Sequence, residues 1–517
     1  TVNVDPVTSE ISTDEQLGLK LYQIETKENE ETGRSYVSKC PACGGTSGMS
    51  GVEVMTRMHP GNEALGAVVL QQLLESLPGT QDNADPKPMG GRSLLTFSDN
   101  RQDAAFFAPY FERTNSDLAL RAALVQVLRK NDEAMDLEWL FDDVYKHWKK
   151  QGLPVMIGHQ GGLIKEKAKM HDLLMGRIAA EFFTPSGRRN SLEALGLVHV
   201  GYDAKLIRRL KQHITESIPS AFQEQSDSLI YFLLETIRRE KAIANLYDLD
   251  MVDPHIWGVP YANHRSFERY KANDNIRFSW ITQEGTKRHN RRTWYLVEQL
   301  GWSWEEARDF LGIFWEGLLL VKFLKPLQPG YGLDGEKISF SSGSQYPLYV
   351  CNDCGLLQPT LVSLKCTAFR CKGEVEALSH HERQLFEEKN HYIHNYLHAS
   401  TTTARAREHT ASLSTELREE IEREFSEKEI NVLSCTTTME MGVDLGDLDA
   451  VLNLNIPPSI SNYQQRTGRA GRRAQAAPVC ITVARSGQYD QAIFRDFKQF
   501  LGKDSPVPFI RTDNPSL

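Results

Sequence analysis

The sequence predicts an α/β protein: a parallel-sheet lobe split by a large, mostly α-helical insertion with a small cysteine module. Three observations predict it. Apolar runs at 430–435, 450–454 and 479–483 read as buried parallel strands, because their connections are too long for hairpins. A strand followed by a helix, from Ser93 to Glu112, has the same character but stands far earlier in the chain. Between the two blocks, apolar residues recur at helical spacing, as at Leu229, Phe232, Leu233 and Ile237.

Residues 1–88 are polar and loop-rich, with Cys40 and Cys43 in a C-x2-C pair and a helix expected near 62–76. Gly79 to Gly91, rich in Asp, Pro and Gly, reads as a linker. The sheet lobe starts at 89–113, with a strand over Ser93–Asp99 and a helix over about 102–112. Residues 114–250 are the helical insertion, and 251–345 a mixed aromatic and basic subdomain closing on a strong helix around 304–322. The cysteine module covers 346–375, the sheet lobe resumes over 376–503, and 504–517 form a tail.

With 517 residues the chain has room for roughly two to four domains. A hydrophobic content of 40% and a charged content of 25% are those of a globular protein. The net charge of −9 excludes a wholly basic binder, so any nucleic-acid contact must use local basic tracts. No apolar run reaches the roughly 20 residues of a membrane span, and no signal peptide is visible. Six of the eight cysteines stand in tight clusters, which suits metal sites in a reducing compartment. A cytoplasmic location without membrane contact is therefore expected. The first residue is Thr1 rather than Met, which suggests a piece of something larger.

The run Tyr463 to Arg473 holds four arginines within eight residues, Arg466, Arg469, Arg472 and Arg473, hinged by Gly468 and Gly471. Arginine's planar fork matches phosphate oxygens two at a time, and glycine lets the backbone approach a ligand. Upstream, Thr436-Thr437-Thr438 follows a strand, either as ordinary strand-end threonines or as ligand contacts. In a doubly wound sheet, ligands sit outside the carboxyl ends of the strands, where both patches would project.

These residues resemble superfamily-2 helicases. Thr438-Met439-Glu440-Met441-Gly442-Val443-Asp444 is similar to motif V, and Gln465-Arg466-Thr467-Gly468-Arg469-Ala470-Gly471-Arg472 to motif VI. Phe97-Ser98-Asp99-Asn100-Arg101-Gln102-Asp103-Ala104-Ala105 resembles motif IV, and His409 to Ser414 the loop before motif V. Within the superfamily the chain is most similar to the MrfA-like branch, which includes the large helicases of the DISARM and Druantia anti-phage systems. The motif IV phrase, the cysteine module and the tail Ser505-Pro506-Val507-Pro508-Phe509 carry that likeness.

The resemblance implies the second RecA-like lobe of a two-lobe, ATP-dependent motor working on nucleic acid, with DNA expected, in anti-phage defence or DNA repair. It implies Arg469 and Arg472 as arginine fingers stabilising charge in phosphoryl transfer. Gln465 would sit at the lobe interface, and Arg466 would brace the motif more than touch phosphate. Gly442 and Asp444 would couple the nucleotide site to the strand face, and Thr437, Thr438, Ser98 and Arg101 would meet nucleic acid. ATP with Mg2+ would be shared with a first lobe lying upstream or on another chain, and a defence-system protein is a possible partner. No Gly-x4-Gly-Lys-Ser/Thr loop is present, and Asp132-Glu133-Ala134-Met135 is an acidic box in letters only, expected in a polar helix. The chain alone is therefore expected not to hydrolyse ATP. The competing expectation is a non-enzymatic, zinc-containing scaffold or nucleic-acid-binding subunit on a degenerate lobe.

Cys351, Cys354, Cys366 and Cys371 have the spacing C-x2-C, eleven residues, C-x4-C, which suits a closed tetrahedral Zn2+ of structural kind. Cys40 and Cys43 are half of a possible second Zn2+ site. Between His264 and Tyr295, Arg291, Arg292 and other basic residues alternate with aromatic ones such as Trp280 and Trp294. That pattern reads either as a strand-binding surface or as the core of a small domain.

Overall fold

The computed structural model describes residues 2–4, 11–12, 19–21, 26–28, 35–37, 62–79, 87–150, 167–183, 191–247, 249, 266–270, 278–282, 289–400, 403–440, 445, 448–471 and 478–505. Five strands, β1 (Leu94–Phe97), β2 (Ala406–His409), β3 (Val432–Cys435), β4 (Ala450–Asn453) and β5 (Val479–Thr482), form one all-parallel sheet. Their order is β2-β3-β1-β4-β5. The strand earliest in sequence is thus the central one, and the chain leaves the sheet after β1 and returns to flank it on both sides.

Alternation along the buried strands feeds two cores. Leu94, Val432 and Leu452 face helix Asn62–Ser76 and Phe107 and Phe111, while Leu95, Leu433 and Val451 face Ile421 and Phe425 of helix Thr415–Ser426. All of β1, β3 and β4 is buried, as a central parallel strand must be. β2 has no counterpart in the sequence reading, because Ala-Arg-Glu-His lacks an apolar run and lies at the sheet edge.

The helix expected over 102–112 runs from Arg101 to Lys130, with Pro109 inside it. Asn100 caps its start, accepting from Gln102 N at 2.9 Å. Its first half buries Phe107 and Phe111 against the sheet, and its second half buries Leu120, Leu124 and Leu128 in the insertion. The boundary placed at 113 therefore falls within one rigid element. The insertion also has one continuous core, from Leu120 to Tyr396, and strand Val198–Tyr202 pairs with Ile338–Ser342. Segments 114–250 and 251–345 thus fold together. Asp132 to Met135 lies beyond the helix end, where Met135 pairs with Phe340, so the acidic box is not helical.

Glu112, 3% exposed, sits on the long helix 3.4 Å from Arg407 of β2. Burial raises its carboxyl to about 7, although Arg407 opposes the shift. A raised carboxyl favours the fold when protonated; that contribution is complete below the ordinary value of 4.5 and is lost as pH rises through about 7. Glu112→Gln should remove this loss, so between pH 5 and 8 denaturant melts of the wild type should fall relative to the variant by roughly 1–3 kcal/mol. Parallel stability curves for the two proteins would overturn the assignment.

Candidate functional site

The carboxyl ends of β1, β3 and β4 lie side by side: Ser98 N donates to Cys435 O at 3.0 Å, and Leu454 N to Phe97 O at 2.8 Å. Asp99 follows β1, Asn455 follows β4, and Glu440 follows the turn Thr437–Met439 after β3. Helix Ile460–Thr467 starts where Ser459 Oγ accepts from Asn462 N, and it carries Arg466 beneath these strand ends.

Arg466 is fully buried. Its Nε donates to Glu440 Oε1 at 2.8 Å, its Nη2 donates to Asp99 Oδ1, and its guanidinium lies 5.3 Å from the Phe97 ring centre. Asn455 Nδ2 donates to Asp99 Oδ2 at 2.5 Å, and Asn462 Nδ2 to Glu440 Oε2 at 2.7 Å. A buried ion pair repays its desolvation best when its remaining groups are also satisfied; the two asparagines do this for the carboxylates, while Arg466 Nη1 has no partner among the described residues. One network thus joins the segments resembling motifs IV, V and VI. At its rim, Arg485 after β5 donates to Asp103 Oδ2 at 2.6 Å and to Leu454 O at 3.0 Å.

Arg469 is 5% exposed and close enough to Cys435 for its charge to oppose the upward push that burial gives that thiol. Gly471 has φ +80°, and a Cβ there would stand 2.7 Å from Pro478, so the turn after Arg469 requires glycine. Gln465 and Thr437 are exposed, Thr438 lies in the turn beside Thr437, and Arg101 is exposed at its helix start. Gly442, Asp444, Arg472, Cys40 and Cys43 lie outside the described residues.

Two placements correct the sequence reading. Ser98 is 1% exposed, and its Oγ accepts from Asn100 N and Arg485 Nη2 at 3.4 Å each, so it cannot meet a strand. Arg292 is not on a nucleic-acid surface either, while Arg291 is half-buried. Arg292 is 1% exposed between Phe267 and Trp280, and donates to Ser279 O at 2.7 Å and Thr236 Oγ1 at 3.2 Å. Burial pushes it down to about 9. Phe267, Trp280 and Trp294 are core, so around Arg292 the basic-aromatic alternation records packing, whereas Arg269 and Tyr270 are exposed and residues 271–277 and 283–288 lie outside the described residues. Arg291 donates to Thr367 O at 3.0 Å and thereby docks the cysteine module.

In that module the four sulfurs of Cys351, Cys354, Cys366 and Cys371 all lie within 4.8 Å of one another. Cys351 and Cys371 are 3.7 Å apart, and Cys354 and Cys366 3.6 Å. A tetrahedral ion with Zn–S bonds of about 2.3 Å sets its sulfurs about 3.8 Å apart, so the cluster fits one. A Cβ at Gly373 would meet Cys351 Sγ at 2.7 Å, and only glycine leaves room for that thiol. Gln299 Nε2 donates to Cys371 O at 2.8 Å and Tyr295 Oη to Lys365 O at 3.4 Å, fastening the cluster to the insertion.

Residues 372–474 match the family model described as the helicase conserved C-terminal domain. The chain thus contains a helicase conserved C-terminal domain and is similar to the C-terminal part of superfamily-2 helicases. The Druantia protein DruE of Escherichia coli is 42% identical over 92 residues, 18% of this chain and 5% of that protein. An uncharacterized ATP-dependent helicase of Methanocaldococcus jannaschii is 49% identical over 72 residues, 14% of this chain and 10% of that one. Among solved structures, the DUF1998 helicase MrfA bound to DNA is 27% identical over 27% of this chain and 18% of that one, at a TM-score of 0.21. The matched segments thus span a tenth or less of the two curated relatives. No helix among the described residues is long and apolar enough to cross a membrane.

Sequence reasoning missed residues that hold the motif-like segments together, namely Asn455, Asn462 and Arg485, and quoted Asp99 and Glu440 without assigning them roles. For Asp99, Asn455 and Arg485 the available signal was polar side chains soon after apolar strands, where a doubly wound sheet gathers its ligand edge; Asn462, inside a helix, carried no such signal.

Proposed function

We propose that this chain supplies the arginine-bearing half of the nucleotide cleft of an ATP-dependent helicase or translocase acting on DNA. The observation that carries the reading is the Asp99–Arg466–Glu440 network around the buried Arg466, which joins the three segments that resemble helicase motifs at the strand ends. Bound ATP with Mg2+ would supply the phosphoryl group. Arg469 and Arg472 would stabilise charge on it, with Gln465 at the lobe interface and Gly442 and Asp444 coupling cleft to strand. Arg469 must then turn outward from its buried position as the lobes close. The sequence lacks a phosphate-cradling Gly-x4-Gly-Lys-Ser/Thr loop, so the cradle belongs to a first lobe. Thr437, Thr438 and Arg101 are the strand contacts this reading retains.

The test is ATP hydrolysis by the protein containing both lobes, with and without DNA or RNA. Stimulation by DNA supports the reading. Absence of turnover with either nucleic acid would favour the zinc-containing scaffold. The likeness to DruE supports a place in anti-phage defence beside a partner protein, which phage plating on cells with the intact system checks.

We assign the four-cysteine cluster to one structural Zn2+, which would be closed by its four thiolates and organise the module without reacting. Metal analysis should find one zinc per described cluster, and Cys354→Ser should lower it. Because metal binding is folding free energy, chelation should lower the melting temperature of the insertion. Purified protein free of zinc, with an unaltered melt, would sink this assignment.

A further inference from the structure

Helix Ala204–Ile214 carries Lys205, Arg208, Arg209, Lys211 and His213 and no acidic residue, in a chain whose net charge is −9. Its apolar positions Leu206, Ile207, Leu210 and Ile214 pack into the insertion core. At Gly317 of helix Trp304–Leu320, an added Cβ would meet Leu210 at 2.7 Å, so the two helices are closely seated. Beyond Ala204 at its start, the exposed positions are Lys205, Arg208, Arg209, Gln212 and His213, the last with its ring edge against Gly317. Their spacing of i, i+3, i+4, i+7 and i+8 makes one continuous stripe along the outer face.

Nearby acids are engaged elsewhere or lie at the ends of the stripe. Asp203 caps the helix, accepting from Lys205 N at 2.9 Å and Leu206 N at 3.1 Å. Glu316 pairs with Arg269 at 2.9 Å and Asp227 with Lys211 at 2.7 Å, while Glu216 stands just past the last turn. Among the described residues no carboxylate forms an ion pair with Lys205, Arg208 or Arg209; Arg208 Nε donates to Ala204 O at 3.3 Å. The stripe carries no aromatic side chain apart from His213.

We propose that this stripe binds the phosphate backbone of duplex DNA, as a contact of the insertion separate from the sheet lobe. From residue 205 to 213 the helix rises about 12 Å, and one strand of duplex presents a phosphate about every 3.4 Å along its axis, so the stripe spans several phosphates. Forked arginines and a mobile lysine suit that target. With His213 as its one exposed ring, the stripe offers little platform on which successive unpaired bases would stack, which favours duplex over single strands. It reads no sequence, because backbone contacts position a duplex without specifying it.

The test is the affinity of the full chain, without nucleotide, for a labelled duplex over a salt series. The variant is Lys205→Gln/Arg208→Gln/Arg209→Gln, whose sites are exposed and away from every motif. Its duplex affinity should fall about tenfold or more at 100 mM salt, and the slope of log affinity against log salt should drop by about two to three. Arg208→Lys/Arg209→Lys, which keeps the charges, should bind near the wild-type level. Unchanged duplex affinity and slope in the triple variant overturns the proposal. So does a loss confined to single-stranded DNA, or a loss seen only on phosphatidylserine vesicles. DNA-stimulated ATP turnover of the two-lobe protein is scored separately. Stimulation with unchanged duplex binding therefore removes this contact while leaving the helicase reading in place.

Discussion

Arg469→Ala is expected to lower ATP turnover by the two-lobe enzyme about a thousandfold or more while nucleotide still binds. An arginine finger acts on charge that develops only as the phosphoryl group transfers, so its removal strikes kcat and spares ground-state affinity. Arg469 is 5% exposed beside Cys435, so its truncation could also disturb the lobe. Arg469→Lys separates the two effects. Lysine keeps a charge near Cys435 but not the planar fork, and turnover should stay low while the melting temperature returns toward the wild-type value. Turnover retained in Arg469→Ala would refute the finger assignment and shift the role to Arg472.

Arg466→Ala should unfold or severely weaken the sheet lobe, by about 3–5 kcal/mol in denaturant melts. The guanidinium is fully buried and bonds Asp99 and Glu440, with Glu440 itself only 8% exposed. Its loss leaves two carboxylates facing each other with one asparagine apiece. Asp99 is partly open to solvent and can recover some hydration, which keeps the cost from being larger. Asp99→Asn/Glu440→Gln combined with Arg466→Met should be milder than Arg466→Ala, because it removes the stranded charges together. A loss below about 1 kcal/mol in Arg466→Ala would show that the network is not what sets the motifs in place.

Much of the lobe was legible in the sequence because parallel strands buried on both faces are written as near-continuous apolar runs. Leu94–Phe97, Val432–Cys435 and Ala450–Asn453 were each readable for that reason. β2 was not, since an edge strand can be polar and still pair its backbone. The cysteine module was legible through spacing, because four ligands around one small ion must come from two tight turns. The basic-aromatic tract around Arg291 and Arg292 left two readings open for a physical reason. Buried arginines satisfied by carbonyls, Ser279 O and Trp280 O among them, look in sequence like arginines waiting for phosphate.

By itself the sequence determined the chemistry available: the arginine run with its glycines, the threonine turn, the four thiols and the parallel strands. Only the tertiary structure decided which arginine is which. Arg466 turns inward onto Asp99 and Glu440, Arg292 vanishes among rings, and Lys205, Arg208 and Arg209 face solvent from one helix. The reason is that charge is a property of the residue, whereas its partner depends on what the fold brings within a few ångströms. Asp99 and Arg466 are 367 positions apart in the chain and meet only because β1 lies at the centre of the sheet.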